Sequence, residues 1–160
     1  MLAAMSTGLG AGAAARSMLG SGRGTSGDWV PVLEDVPLFA GVPRRHLKRV
    51  AELAKPKRFA AGTTIVRSGD PGNAFYVLVD GAARVTPPKG RAIKLGPGDS
   101  FGEMALLDGS PRSADVTATE DVLALAIGSA AFEKLLRREP QLAIALLRTL
   151  AGRLRGAQSR

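Results

Sequence analysis

Apolar residues recur at spacings of three and four in the segment that begins at Val42, which is the period of an amphipathic helix. The recurring positions are Leu47, Val50, Ala51, Leu53 and Ala54. Arginine and lysine occupy the opposite face. Pro43 suits the first turn of a helix and Pro56 cannot continue one, so the pattern predicts a helix between these two prolines.

Short apolar runs separated by turns follow this helix. They are rich in Val, Ile, Thr and Phe and occupy residues 63–67, 74–79, 82–86, 91–95, 113–119 and 122–127. The turns between them contain Gly and Pro, and Gly81 and Gly98 are expected to adopt positive φ there. Many short strands at regular spacing predict an antiparallel sandwich or barrel.

Helical periodicity returns at Ser129, which is the predicted N-cap of a helix over residues 130–138. Pro140 suits the first turn of a second helix that reaches residue 155. The second helix carries a leucine at every fourth position: Leu142, Leu146, Leu150 and Leu154. This apolar stripe packs on the domain's own strands, meets a partner helix or forms a lid over a ligand, and the sequence leaves these three interpretations open.

The first 30 residues consist mainly of Gly, Ala, Ser and Thr. Such a segment buries too little apolar surface to offset its ordering entropy, so it is predicted to be a disordered extension of a packed domain at residues 31–157. Two arginines and no acid before Asp28 resemble a transit peptide, whereas the apolar run of a signal peptide is missing. No apolar run of the chain is long enough to cross a bilayer, and a cytoplasmic location is expected.

Composition excludes several kinds of chemistry. The 160 residues include no Cys and one His, so they supply neither a disulfide framework, nor a thiolate zinc site, nor a Cys nucleophile, nor a His-rich metal site. One Trp, one Tyr and five Phe are little material for a base-stacking platform. No nucleophile and base are arranged for catalysis. We therefore expect no metal, no cofactor and no enzyme activity.

The net charge of +8 is concentrated in two flanking segments. Residues 44–58 hold seven basic residues and one acidic residue, and residues 132–160 hold seven basic and two acidic residues. The middle of the chain is slightly acidic. The basic segments are solvated helix faces or a partner surface, and the second of them could hold phosphates weakly and in a salt-dependent way.

Residues 101–114 combine groups suited to a nucleotide. Gly102 precedes about one predicted helical turn over residues 103–107, whose free N–H groups would favour an anion. Arg112 offers a planar cation that matches phosphate oxygens, and Ser113 offers a hydroxyl. Glu103 is an acceptor for a sugar hydroxyl. The alternative is a structural ion pair between Glu103 and Arg112 in a loop.

The same stretch resembles a known family. Gly102-Glu103-Met104-Ala105-Leu106-Leu107 followed by Pro111-Arg112-Ser113-Ala114 resembles the phosphate-binding cassette of cyclic nucleotide-binding domains, as in protein kinase regulatory subunits, cyclic nucleotide-gated channels and the catabolite activator protein. Pro37-Leu38-Phe39, Gly69-Asp70, residues 75–78 with Gly81, and residues 96–102 also resemble the family, so the likeness covers residues 33–155. It implies an antiparallel jelly-roll β-barrel with an N-terminal helix, a short cassette helix and two C-terminal helices.

The resemblance also implies roles for single residues. Arg112 would pair with the exocyclic oxygens of the cyclic phosphate, and Glu103 would accept a hydrogen bond from the ribose 2′-hydroxyl. Backbone groups at Gly102 and Ala105 would approach ribose and phosphate, and Ser113 would offer a hydroxyl or N–H to the phosphate. Met104 and Ala114 complete the predicted ligand-binding set, Ala114 as a small residue where the chain re-enters a strand.

The function implied is binding of a cyclic nucleotide, with cyclic AMP favoured over cyclic GMP, and relay of occupancy through the C-terminal helices. One alternative is an interaction module that keeps the fold without the ligand. Another is a truncated transcription regulator of the catabolite-activator type, although the chain ends at Arg160 without room for a helix-turn-helix, so no sequence-specific DNA binding is expected. A protein partner or a homodimer would use the C-terminal helix. The scarcity of metal ligands argues against a cupin-like enzyme on a similar barrel.

Overall fold

Eight strands and five α-helices make up residues 29–158, which are the residues that the computed structural model describes, apart from the side chains of residues 104, 105, 153 and 158. In chain order the elements are α1 (Val30–Glu34), a 3₁₀ turn (Pro37–Phe39), α2 (Arg44–Leu53), β1 (Lys55–Phe59), β2 (Thr64–Val66), β3 (Ala74–Asp80), β4 (Ala83–Thr86), β5 (Ile93–Leu95), β6 (Ser100–Phe101), α3 (Glu103–Asp108), β7 (Asp115–Ala118), β8 (Val122–Gly128), α4 (Ser129–Arg138) and α5 (Pro140–Gln158).

The strands form two antiparallel sheets, with the orders β1-β8-β3-β6 and β2-β7-β4-β5. The predicted combination of helices with antiparallel sheet is confirmed. The prediction of one closed barrel is wrong, because no ladder within residues 29–158 joins the two sheets. The edge strands are two to five residues long and pair only within their own sheet, and the inner faces of the two sheets share one core. The sheets pack face to face instead.

The central strands β3 and β8 are buried on both faces, which explains their nearly unbroken apolar sequences. In β3, Tyr76 and Leu78 point into the core between the sheets. Phe75 and Val77 of the same strand point into a second core beneath the helices. The register pairs Phe75 with Ile127 of β8 on that helix side. The molecule therefore has three layers: helices, the β1-β8-β3-β6 sheet and the second sheet.

The helix-side core begins with Trp29 and Val30, which are 6% and 1% exposed. The packed domain thus includes two residues that the sequence analysis assigned to the N-terminal extension. The rest of the predicted extension, residues 1–28, lies outside the described residues. Among residues 29–158, no helix combines the length and the apolar character needed to cross a membrane.

The sequence pattern does not predict two of the strands, β1 and β6. Strand β1, Lys-Pro-Lys-Arg-Phe, pairs with β8 along its whole length, yet four of its five side chains are exposed. It lies at a sheet edge, where charged residues and a proline are tolerated and discourage pairing with other chains. The second, β6, has only two residues and so no readable period.

The start of α4 differs from the prediction. Gly128, and not Ser129, occupies the N-cap, and no side chain of the described residues caps the helix. The Ser129 hydroxyl donates instead to the Asn73 carbonyl at 3.2 Å, and the Ser129 N–H donates to the same oxygen at 2.9 Å. Ser129 therefore ties α4 to the loop before β3. Gly81 and Gly98 have φ of +89° and +90°, which confirms both as turn positions.

The leucines at every fourth position of α5 do not form one buried stripe. Leu142 and Leu146 are buried, but Leu154 is 64% exposed. A spacing of four residues overshoots one helical turn by about 40°, so the row winds around the helix and leaves the core. The inner face is held by Leu142, Leu146 and the Thr149 hydroxyl, which donates to the Ala40 carbonyl at 2.7 Å.

Candidate functional site

The chain enters the predicted cassette through a tight turn after β5. The Asp99 carboxylate accepts a hydrogen bond from the Gly96 N–H at 2.8 Å, and β6 then pairs with β3. Gly102, with φ of +85°, redirects the chain into α3, which ends at Asp108. There the Ser110 hydroxyl and N–H donate to the Asp108 carboxylate at 2.6 and 2.9 Å and hold the pKa of that carboxyl below its usual value. Both ends of the cassette helix are thus defined locally.

The backbone of Arg112 is fastened to the loop before β3. Its N–H donates to the Asp70 carbonyl at 2.8 Å, and its own carbonyl accepts from the Gly69 N–H at 2.8 Å. These two hydrogen bonds join segments more than 40 residues apart. They aim the Arg112 side chain toward the beginning of β3 and toward Gly102.

The Arg112 side chain is buried, with 7% of the residue exposed. Its Nη2 donates to the Ala74 carbonyl, whereas its Nη1 is buried and has no hydrogen-bond partner in the part of the chain that the structure describes. Burial lowers the pKa of Arg112 from its ordinary value, and Tyr76 opposes that shift. Arginine nevertheless remains a cation at neutral pH. A buried cationic N–H without an acceptor is costly, so this half of the guanidinium is a natural anion contact.

Gly102 lies against the free side of the guanidinium. A Cβ added at this position would come within 2.2 Å of Arg112 Nη1 and within 2.9 Å of the Ala74 carbonyl oxygen. Only glycine fits here, for steric reasons and because of its positive φ. Glu103 follows immediately and is itself buried, with 6% of the residue exposed. The cassette therefore places the buried Glu103 next to the glycine that contacts the buried Arg112 guanidinium.

An aromatic group supports the guanidinium from the inter-sheet core. Arg112 Cζ lies 5.9 Å from the centre of the Tyr76 ring, a cation–π distance. Tyr76 stacks on Phe101 at 5.0 Å between ring centres and meets the edge of Phe59 at 6.3 Å. These rings come from three strands of one sheet, so the position of Arg112 is set by packing across that sheet.

The remaining predicted residues are distributed around this centre. Ser113 is exposed, beside Arg112, and Ala114 is buried in the inter-sheet core just before β7. Met104 and Ala105 lie in α3. Sequence analysis did not assign the Ala74 carbonyl and the Tyr76 ring to the site. Ala74 is 38 residues from Arg112 and contributes only a backbone oxygen, so no residue-type signal could have revealed it.

The fold and the cassette define the class of protein. The chain belongs to the cyclic nucleotide-binding domain family, whose family model, "Cyclic nucleotide-binding domain", matches residues 56–139. Among curated proteins it is similar to a cAMP-dependent protein kinase regulatory subunit of Hypocrea atroviridis, with 36% identity over 104 residues, 65% of this chain and 22% of the relative. It is also similar to a cyclic nucleotide-gated potassium channel of Mesorhizobium japonicum, with 38% identity over 122 residues, 76% of this chain and 34% of the relative. The chain thus spans about a fifth to a third of these relatives.

Solved structures show the same fold. The N-terminal domain of a transcriptional regulator from Streptomyces coelicolor is 35% identical with a TM-score of 0.71, and the match covers 80% of this chain and 95% of that one. The regulatory domain of Toxoplasma gondii PKA, crystallised with cAMP, is 26% identical with a TM-score of 0.65 over 79% of this chain and 50% of that one.

Proposed function

We propose that this domain binds cyclic AMP through its cassette and transmits occupancy to its C-terminal helices as a regulatory module. The observation that carries the proposal is the buried, unpartnered Nη1 of Arg112. A cyclic phosphate would supply the missing acceptor, and an arginine–phosphate contact is a strong, charge-assisted hydrogen bond. Similarity to a regulatory domain crystallised with cAMP supports this choice over cyclic GMP.

The other cassette residues have proposed roles around that contact. Glu103 accepts from the ribose 2′-hydroxyl, and the backbone at Gly102 and Ala105 approaches ribose and phosphate. Ser113 is exposed next to Arg112, where its hydroxyl or N–H can reach a phosphate oxygen. Met104 and Ala114 complete the binding set. No step of this proposal requires a cofactor or catalysis by the chain.

The relay proposal rests on the packing of α3. Leu106 of this helix is buried in the helix-side core, in the same cluster as Phe132 of α4 and Leu142 of α5. A shift of the cassette on ligand binding would therefore change the packing of both C-terminal helices. A ligand can favour a second position of these helices only if it binds the two arrangements with different affinity.

The outer face of α5 is the proposed surface for a protein partner, and we favour a second copy of the chain. Ile144, Leu147, Ala151 and Leu154 are all exposed and follow the spacing of three and four residues that coiled-coil seams use. A two-fold pair of α5 helices would bury the same stripe from both copies. A cytoplasmic location likewise remains a prediction.

Three measurements test binding, relay and dimerisation. We expect calorimetric titration to give tighter binding of cyclic AMP than of cyclic GMP, amide exchange over residues 129–158 to change with cyclic AMP, and light scattering to report a dimer. Absence of binding to either nucleotide would leave the interaction-module alternative. Binding with identical exchange over these helices would contradict the relay, and a monomer in both states would contradict the dimer.

Glu103→Gln combined with 2′-deoxy cyclic AMP tests the sugar contact. Hydrogen bonds to charged groups contribute about 1.5–3 kcal/mol, so the deoxy ligand should bind wild type roughly 10- to 150-fold more weakly than cyclic AMP. In the variant, removal of the hydroxyl should cost little more. Asp35→Asn, a matched change of an exposed acid, should preserve the full wild-type difference between the two ligands. A full additional loss in Glu103→Gln would exclude the proposed contact.

A second candidate, the sensory domain of a transcription regulator, is favoured by the match to nearly the whole N-terminal domain of the Streptomyces coelicolor regulator. It uses the same binding site and differs only in the output.

A further inference from the structure

A second cleft lies between α5 and the segment that leads from the 3₁₀ turn into α2. Its volume is about 400 Å³, which is within the range of small-molecule sites. One wall is formed by Ala40, Gly41, Pro43 and the start of α2, and the other by the flank of α5 around Ala145. None of the cassette residues lines it.

Two cations line this cleft, Arg45 of α2 and Arg148 of α5. Among the described residues, its lining includes no Asp or Glu. Neither arginine makes an ion pair within residues 29–158, whereas the neighbouring Arg44 pairs with Glu34 at 2.9 Å. Two unpaired guanidinium groups from distant parts of the chain therefore share one cavity.

Backbone donors add to these charges. His46 also lines the cleft and is 6% exposed, but its Nδ1 faces the Glu139 carboxylate, with 3.4 Å between Nδ1 and Oε2. The ten-residue helix α2 begins at the rim of the cleft, and no side chain of residues 29–158 caps it. Its first hydrogen bonds run from the N–H groups of His46 and Leu47 to the Pro43 carbonyl. The N–H groups of Arg44 and Arg45 precede this ladder, so no carbonyl of their own helix can accept from them.

We propose that this cleft binds a small molecule through a phosphate group, at a site separate from the cassette. Arg45 and Arg148 would each contribute a planar cation suited to phosphate oxygens. The uncapped start of α2 would supply backbone donors. Because the arginines lie on α2 and α5, a bound phosphate would bridge these helices, next to the hydrogen bond from Thr149 to Ala40. This proposal does not depend on cyclic nucleotide binding.

The test uses the whole chain without cyclic nucleotide, with pyrophosphate as the probe and ionic strength held constant with sodium chloride. We expect saturable binding by calorimetry, and amide chemical-shift changes centred on Arg45, Gln141 and Thr149. Arg45→Ala with Arg148→Ala should weaken binding at least roughly tenfold, the size of a lost charge-assisted contact. Arg44→Ala is the matched control, since it removes the same charge one residue away from the cleft.

Three outcomes would overturn the proposal. The first is no saturable binding at millimolar pyrophosphate. The second is an equal loss in Arg44→Ala and Arg45→Ala, which would indicate only general attraction to a basic surface. The third is binding that survives loss of both cleft arginines and disappears in Arg112→Ala, because the probe would then occupy the cassette. A failure here leaves the cyclic AMP proposal untouched.

Discussion

Replacing Arg112 with alanine is expected to weaken cyclic AMP binding by about 30- to 3000-fold. Truncating one partner of a buried, hydrogen-bonded charge pair costs roughly 2–5 kcal/mol, and about 1.4 kcal/mol corresponds to a factor of ten in affinity. The effect should be large because Arg112 is buried, and because its Nη1 lacks an acceptor among residues 29–158. Calorimetric titration measures the change directly.

Arg112 also donates a hydrogen bond to the Ala74 carbonyl, so the alanine variant needs a stability measurement and control variants. Its loss leaves the Ala74 carbonyl without that donor, and stability should be checked by thermal unfolding. Arg112→Lys keeps the charge but replaces the planar fork, so we expect intermediate affinity. Arg84→Ala, at an exposed position of β4, is the control that should bind like wild type. Unchanged affinity in a folded Arg112→Ala protein would refute the phosphate assignment.

Gly102→Ala is expected to damage both the site and the fold. An L-residue with positive φ costs roughly 1–2 kcal/mol of backbone strain. In addition, the new Cβ would come within 2.2 Å of Arg112 Nη1 and 2.9 Å of the Ala74 carbonyl, so the guanidinium must leave its place. We expect a lower melting temperature and loss of cyclic AMP affinity comparable to that of Arg112→Ala.

The matched control for this variant is Gly62→Ala. Gly62 has φ of +87°, close to the +85° of Gly102, but a Cβ there would meet no atom within 4 Å. It should therefore lose stability through strain alone and retain nucleotide affinity. If both variants lost the same affinity, or if Gly102→Ala bound normally, the proposed dependence of nucleotide binding on the approach of Gly102 to the Arg112 guanidinium would be wrong.

Sequence reasoning worked best where a local pattern has one physical cause. The apolar runs that became β3 and β8 are continuous because both faces of these strands are buried, one beneath the helices and one between the sheets. It failed at β1, whose exposed, basic residues and Pro56 look like the end of a helix. Such a strand is defined by pairing with β8, almost 70 residues away in sequence, and not by its own period.

The site likewise has a part that the local sequence predicts and a part that depends on contacts between distant segments. The cassette residues and their family could be recognised from the sequence, because Gly102, Glu103 and Arg112 stand in a short, specific spacing. The burial of these residues could not be predicted, and neither could the contacts of Arg112 with the Ala74 carbonyl and the Tyr76 ring. Both contacts join residues 36 to 38 positions apart, which only folding brings together.

The sequence by itself determined the family, the alternation of strands and turns, and the pair of charged residues in the cassette, because each is written in neighbouring residues. The tertiary structure decided which face of α5 is buried, since a row of leucines spaced by four winds away from the core. It also divided the strands into two sheets and brought Arg45 and Arg148 to one cleft. It left Nη1 of Arg112 without an acceptor among residues 29–158. These features depend on contacts between distant segments, which only folding brings together.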